Sequence, residues 1–230
     1  MTDATDIASR IDHTILAAEA SAAQVDQVID EALQHRFAAV CVNPIFISHV
    51  RARLRESDVQ PCTVIGFPLG ANTAAMKAGE AAMAVRSGAA EVDVVCHLPH
   101  LLAEDLLAAR GELMEVVYAV REIRRNVVVK AIIESALLLR DVSADQGEAR
   151  IKTACQAVRE AGCDFIKTST GFHPAGGASV EAVRLMAQHG ENLKVKASGG
   201  VRTRADAEQM LHAGADRLGC SASVSIVADV

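Results

Sequence analysis

The stretch "EAGCDFIKTS", residues 160–169, reads as the end of a helix, a glycine, an acid and then a strand that runs into a lysine. It has two echoes, "RSGAAEVDVV" at 86–95 and "HAGADRLGCS" at 212–221. Gly88, Gly162 and Gly214 fit the left-handed residue that closes a helix. A repeated helix-to-strand joint implies parallel strands linked by helices. Strand candidates fall at 10–16, 38–42, 62–67, 91–96, 127–133, 164–169, 194–199 and 216–221. Helical patterns lie between them at 21–35, 44–57, 73–87, 100–125, 143–161, 179–189 and 203–213. The strand at 10–16 is the weakest, being short and charged.

Eight such units in 230 residues without a linker predict one (β/α)8 TIM barrel over residues 1–230. The rival is an open doubly wound sheet. That fold usually carries a glycine-rich turn after its first strand, which is not seen here. Half the residues are hydrophobic and 3% are aromatic, so aliphatic side chains fill the core. Lys plus Arg number 23 against 29 Asp plus Glu, a net charge of −6, which argues against nucleic acid as a partner. No apolar run approaches ~20 residues, so no membrane span is expected. The polar start "MTDATDIASR" shows no signal peptide. Six cysteines without C-x-x-C spacing read as reduced core thiols of a cytoplasmic protein, Cys41 among them.

Strand alternation locates the chemistry. Barrel interiors take every second residue, and active sites form at the carboxyl ends of the strands. Glu91, Asp93, Lys130, Glu134, Phe165, Lys167, Ser169, Lys194, Lys196 and Ser198 share the inward set. Val92, Val94, Ala131, Ile133, Ile166, Val195 and Ala197 form the set that faces helices. Glu91 and Lys194, at strand starts, fit a stabilising ion-pair network. Lys167, Lys196 and Asp93, late in their strands, fit catalysis. Two neighbouring buried lysines should depress each other's pKa, which favours an amine nucleophile, with Asp93 as proton partner.

The loops after the seventh and eighth strands suggest a phosphate site. "KASGGVRT" supplies Gly199 and Gly200, "RLGCSAS" supplies Gly219 and Ser221, and "TSTGF" supplies Gly171. Turn-making alone would also account for these glycines. Asp12, His13 and Thr14 form a polar cluster at a strand end, with Asp12 and Thr14 as candidate substrate contacts. His13 fits either a substrate hydroxyl or a structural bond. Asn43 is a candidate N-cap for a helix opened by Pro44. His97, His100 and His173 fall in loops near the mouth without an assigned role.

The segments "DHTIL", "CVNP", "VIGFPLG", "GAAEVDVV", "KTSTGF", "KASGGVRT" and "GADRLGCSAS" occur in this order from about residue 10 to 225. Together they resemble the deoxyribose-phosphate aldolase family, class I aldolases on a (β/α)8 barrel. The resemblance implies reversible cleavage of 2-deoxy-D-ribose 5-phosphate to D-glyceraldehyde 3-phosphate and acetaldehyde. Lys167 would form the Schiff base, Lys196 would lower its pKa, and Asp93 would complete a proton relay. The phosphate would rest on Gly171, Gly199, Gly200, Gly219 and Ser221. The family implies no metal or organic cofactor, a small phosphorylated sugar as substrate, and a homodimer or higher homo-oligomer. The chain departs from the family pattern at Cys96-His97, at Ala222 and in "GFHPAGGAS", which bears on substrate affinity and aldehyde preference. Rival readings are a transaldolase-like or keto-acid aldolase, and a phosphate-ligand binder without chemistry.

Overall fold

The computed structural model describes residues 7–228. Most of the polar amino-terminal stretch and the last two residues of the chain lie outside these described residues. The eight strands are β1 Ile11–Ile15, β2 Ala39–Val42, β3 Gln60–Ile65, β4 Glu91–Val95, β5 Val128–Ile132, β6 Phe165–Lys167, β7 Lys194–Ser198 and β8 Arg217–Cys220. They close in sequence order, every pair parallel, with β8 returning to β1. The fold is the expected (β/α)8 barrel in a single domain. No helix among the described residues is long and apolar enough to cross a membrane.

The repeated joint explains how β4, β6 and β8 are delivered to their neighbours. Gly88, Gly162 and Gly214 have φ of 112°, 80° and 111°, a region that costs other residues energy. At each, the glycine N–H bonds back to Val85, Arg159 or Leu211, and the next N–H reaches Ala84, Val158 or Met210. This pair of bonds is the Schellman closure. The following N–H docks on the preceding strand, at Pro61, Val129 and Val195 respectively. Asp164 and Asp216 add a side-chain bond, each accepting the N–H of Val129 or Val195 at 2.8 Å.

Helix starts follow local chemistry. Ser21, Thr73, Ser143, Ser179 and Thr203 each accept the N–H three residues on, satisfying one orphan donor of the first turn. The expected helix at 44–57 is instead a 3-10 turn, Pro44–Phe46, followed by Ile47–Arg53. Pro44 does open it, but the Asn43 side chain gives no cap bond and donates to the Ala17 carbonyl at 3.2 Å. The expected helix at 100–125 is two, Leu98–Leu102 and Leu106–Arg121, because Asp105 caps a new helix by accepting the Ala108 N–H. The strand expected over 164–169 stops at Lys167. Past it Thr168 still gives its N–H to the Lys196 carbonyl at 3.0 Å, and its Oγ1 adds two bonds to Ser198, donating to the carbonyl and accepting the N–H, both at 3.0 Å. A helix, Ser223–Ala228, follows β8 and buries Ile226.

The main core lies between the barrel wall and its helices, where Val92, Val94, Ala131, Ile133, Ile166, Val195 and Ala197 pack as the alternation required. A smaller apolar cluster of Leu16, Ala39, Cys41, Cys62 and Val64 fills one side of the barrel interior. The outer layer also hides an ion pair. Lys77 is fully buried, bonds Glu112, and donates to the Val95 carbonyl at 2.7 Å. Glu112 also accepts the His97 N–H at 3.1 Å, so the pair holds the end of β4.

Removing one partner of a buried pair leaves the other charge uncompensated, at a cost of about 3–5 kcal/mol. Lys77→Met is therefore expected to lower unfolding stability in urea by about that amount, and Lys77→Met with Glu112→Leu to recover much of it. A Lys77→Met loss well under ~1 kcal/mol would contradict this role for the pair.

Candidate active site

Strand register puts the charged residues in layers. Asp93 pairs with Lys130 across β4 and β5, Lys167 with Lys196 across β6 and β7, and Lys196 with Arg217 across β7 and β8. Of the inward charged set, Glu91, Asp93, Lys130, Lys167 and Lys196 converge on one cluster, joined by Asp12 and Arg217, while Glu134 and Lys194 lie outside it. Asp93 Oδ2 accepts from Lys167 Nζ and Lys196 Nζ, both at 2.7 Å, and Asp93 Oδ1 from Lys130 Nζ at 2.8 Å. Lys196 also bonds Asp12, and Lys130 reaches Glu91 at 2.6 Å and Asp12 at 3.4 Å. Arg217 closes the lower end on Asp12 at 2.6 Å. Four cations thus face three carboxylates. Lys194 stands apart, exposed at the start of β7 with its ammonium 5.6 Å from the Phe165 ring centroid.

Burial alone would push the Asp93 carboxyl up, but Lys130, Lys167 and Lys196 outweigh it and hold it well below the usual carboxylate range. Burial likewise opposes Asp12, which Lys196, Lys130 and Arg217 hold down. The expected mutual depression of the lysines fails for Lys196. Burial pulls its ammonium down, yet the carboxylates of Asp12 and Asp93 raise it above the ordinary lysine value. Lys130 is raised in the same way, by Asp93 first among its partners. The carboxylates placed between the lysines are the reason.

Above this cluster opens a cavity of about 550 Å³ at the carboxyl ends of the strands. Lys167, 3% exposed, is the lysine of the cluster that reaches it. Thr14, Gly171, Gly199, Gly200, Gly219 and Ser221 line it too. Asp12, Asp93 and Lys196 lie deeper. Among the described residues the backbone N–H groups of Gly171, Gly199, Gly200 and Ser221 bond to nothing within the chain, so the rim offers free donors. Leu16, Ala17 and Phe172 make its apolar wall.

Gly219 has a second, steric role. A Cβ there would lie 2.8 Å from Ser198 Cβ and 3.1 Å from Lys196 Cε, so its absence lets Lys196 cross to Asp12. Gly177, which sequence reasoning passed over, allows the β6 and β7 loops to touch backbone to backbone, a Cβ there falling 2.1 Å from the Gly199 oxygen. His13 points away from the interior. Its ring nitrogens meet Ser223 Oγ at 2.8 Å and Glu31 Oε2 at 2.6 Å, so its role is structural. The thiols of Cys41 and Cys62 lie with the Asp93 carboxylate within 4.8 Å of one another. A metal cation there would meet Lys130, Lys167 and Lys196 at the same carboxylate. Lys130 was legible as inward-facing, but its place at the centre of the cluster was not.

A parallel barrel with lysines and an aspartate beneath a donor-lined cavity defines a (β/α)8-barrel enzyme. Within that class, the chain belongs to the DeoC/LacD family of aldolases, whose family model matches residues 7–221. It is 49% identical over 222 residues to the deoxyribose-phosphate aldolase of Thermoanaerobacter sp. strain X514, covering 96% of this chain and 95% of that one. It is 47% identical over 228 residues to the deoxyribose-phosphate aldolase of Carboxydothermus hydrogenoformans, covering 99% and 96%. Among solved structures it is similar to the tetrameric deoxyribose phosphate aldolase from Aeropyrum pernix, with a TM-score of 0.88, 31% identity, and coverage of 99% of this chain and 92% of that one. The protein is an aldolase, a carbon–carbon lyase.

The depressed carboxyls of Asp12 and Asp93 make stability depend on acid. Unfolded, they titrate near ~3.9, and folded they hold no proton until well below that. Their contribution is complete above about pH 5 and is lost as pH falls below about 4. The urea midpoint is expected to drop between about pH 5 and 3, and a midpoint flat across that window would contradict the shared-carboxylate picture.

Proposed function

We propose that the protein is a deoxyribose-phosphate aldolase that works through a Schiff base on Lys167. The substrate is 2-deoxy-D-ribose 5-phosphate and the products are acetaldehyde and D-glyceraldehyde 3-phosphate. The observation that carries the reading is the contact set of the lysines. Lys167 has one carboxylate contact and reaches the cavity, while Lys196 has two and Lys130 has three. A cluster with one surplus cation is relieved when one lysine works as a neutral amine, and Lys167 is the least held.

The neutral amine attacks C1 of the open-chain aldehyde and water leaves, giving an iminium. The iminium is the electron sink for the C2–C3 bond, whose cleavage yields acetaldehyde from C1 and C2. As that bond breaks, the C3 hydroxyl gives up its proton through water to Asp93, and C3 becomes the aldehyde of the three-carbon product. Asp93, with Lys196 as a fixed cation against it, carries protons to and from C2 through water. Hydrolysis of the iminium returns Lys167. The phosphate rests on the N–H groups of Gly171, Gly199, Gly200 and Ser221, with Gly219 keeping the space beneath. Asp12 holds Lys196, and Thr14 faces the sugar.

Self-association of the chain is part of the proposal. The tetrameric relative and the exposed Ile45, Met76 and Met83, which border one apolar hollow, support it.

Lys167→Leu removes the nucleophile and the surplus charge together. Turnover of deoxyribose 5-phosphate is expected to fall by about a thousandfold or more, with the unfolding temperature unchanged or raised. Asp93→Asn is expected to lower both. Retention of more than a few per cent of activity by Lys167→Leu would overturn the assignment.

A further inference from the structure

Glu134 stands just past β5 with φ of 50° and ψ of 58°, the left-handed region. A glycine would sit there without strain, so the side chain must do something a glycine cannot. It is 1% exposed. Its Oε1 accepts the Thr170 N–H at 2.8 Å, and its Oε2 is buried without a hydrogen-bond partner among the described residues. A buried carboxyl left half-satisfied is poor economy for stability alone.

The bond it makes falls in the loop that follows Lys167. The next residue but one, Phe172, gives its N–H to Thr170 Oγ1 at 3.1 Å. Thr170 and Phe172 thus spend their N–H groups inside the loop, to Glu134 and to the Thr170 hydroxyl. Gly171 between them, with φ of 84°, keeps its N–H unpaired among the described residues and lines the cavity. Ser135 ties the same two strand ends by donating its N–H to the Thr168 carbonyl at 2.8 Å.

We propose that Glu134 is a positioning residue for the phosphate end of the substrate. By capturing the Thr170 N–H it turns the next peptide so that the Gly171 N–H points into the cavity. It touches neither the substrate nor the reacting carbons. This rests on the reading of the cavity rim as a phosphate site.

The test compares deoxyribose 5-phosphate with unphosphorylated deoxyribose for wild type, Glu134→Gly and Glu134→Gln. The glycine variant suits the backbone, and glutamine keeps an acceptor for Thr170. For Glu134→Gly, KM for the phosphorylated sugar is expected to rise about tenfold, a single hydrogen bond's worth, with kcat within about twofold. Its rate on the unphosphorylated sugar and its unfolding temperature are expected to hold. Glu134→Gln is expected to restore most of the KM. If the glycine variant keeps the wild-type preference for phosphate, loses both substrates equally or fails to fold, the inference is overturned while the reading of the site stands. A wild type indifferent to the phosphate overturns that reading, and the inference with it.

Discussion

The carboxylate of Asp93 is shared by Lys130, Lys167 and Lys196 at 2.7–2.8 Å, and the rest of the interior depends on that arrangement. A lone buried ammonium is costly, and three in one barrel would be prohibitive without anions at the centre. Asp12 and Glu91 supply the remaining negative charge, and Arg217 anchors Asp12 from below. The outcome is a cluster in which two lysines are held firmly as cations and the third is held by a single contact beneath an open cavity. In the proposed mechanism, position within one ion cluster, rather than any special property of a lysine taken alone, separates structural cation from working amine.

The barrel serves this cluster in specific ways. Neighbouring strands set Lys167 beside Lys196 and Asp93 beside Lys130 by register. The Schellman joints, with the carboxylates of Asp164 and Asp216 at two of them, fix how far β4, β6 and β8 enter the sheet. Lys77 and Glu112 hold the end of β4 from outside the wall, two residues beyond Asp93. Gly219 leaves the space through which Lys196 reaches Asp12. The opposite side of the interior is mostly apolar, from Leu16 to Val64, and meets the charged groups through one thiol, Cys62 Sγ, 3.3 Å from Lys130 Nζ and 3.5 Å from Asp93 Oδ1.

Much of this was legible in the sequence because it is written in periods and punctuation. A period of two along "EVDVV", "FIK" and "KVKAS" separated the inward charges from the outward aliphatics. Closing glycines marked three of the joints, at Gly88, Gly162 and Gly214, while the one N-cap read from sequence, Asn43, makes no cap bond. Long-range pairing was not legible. Nothing near Lys77 in sequence announces its partner Glu112, 35 positions away. Glu134 lies one step past an apolar run, and its left-handed backbone has no sequence signature. Lys194 obeyed the alternation but sits at the strand start, where the barrel opens to solvent. The effect of Asp12 and Asp93 on the lysines' charge needed three dimensions, because alternation reports which face a residue takes and not what it meets there.

Borohydride trapping reads out which lysine forms the covalent bond to substrate carbon. The protein is mixed with acetaldehyde, reduced with borohydride, digested, and its peptides are weighed. A two-carbon adduct is expected on Lys167 and none on Lys130 or Lys196. An adduct on Lys196, or no adduct at all, would mean that Lys167 is a structural cation and that the cluster does not distinguish its lysines as described.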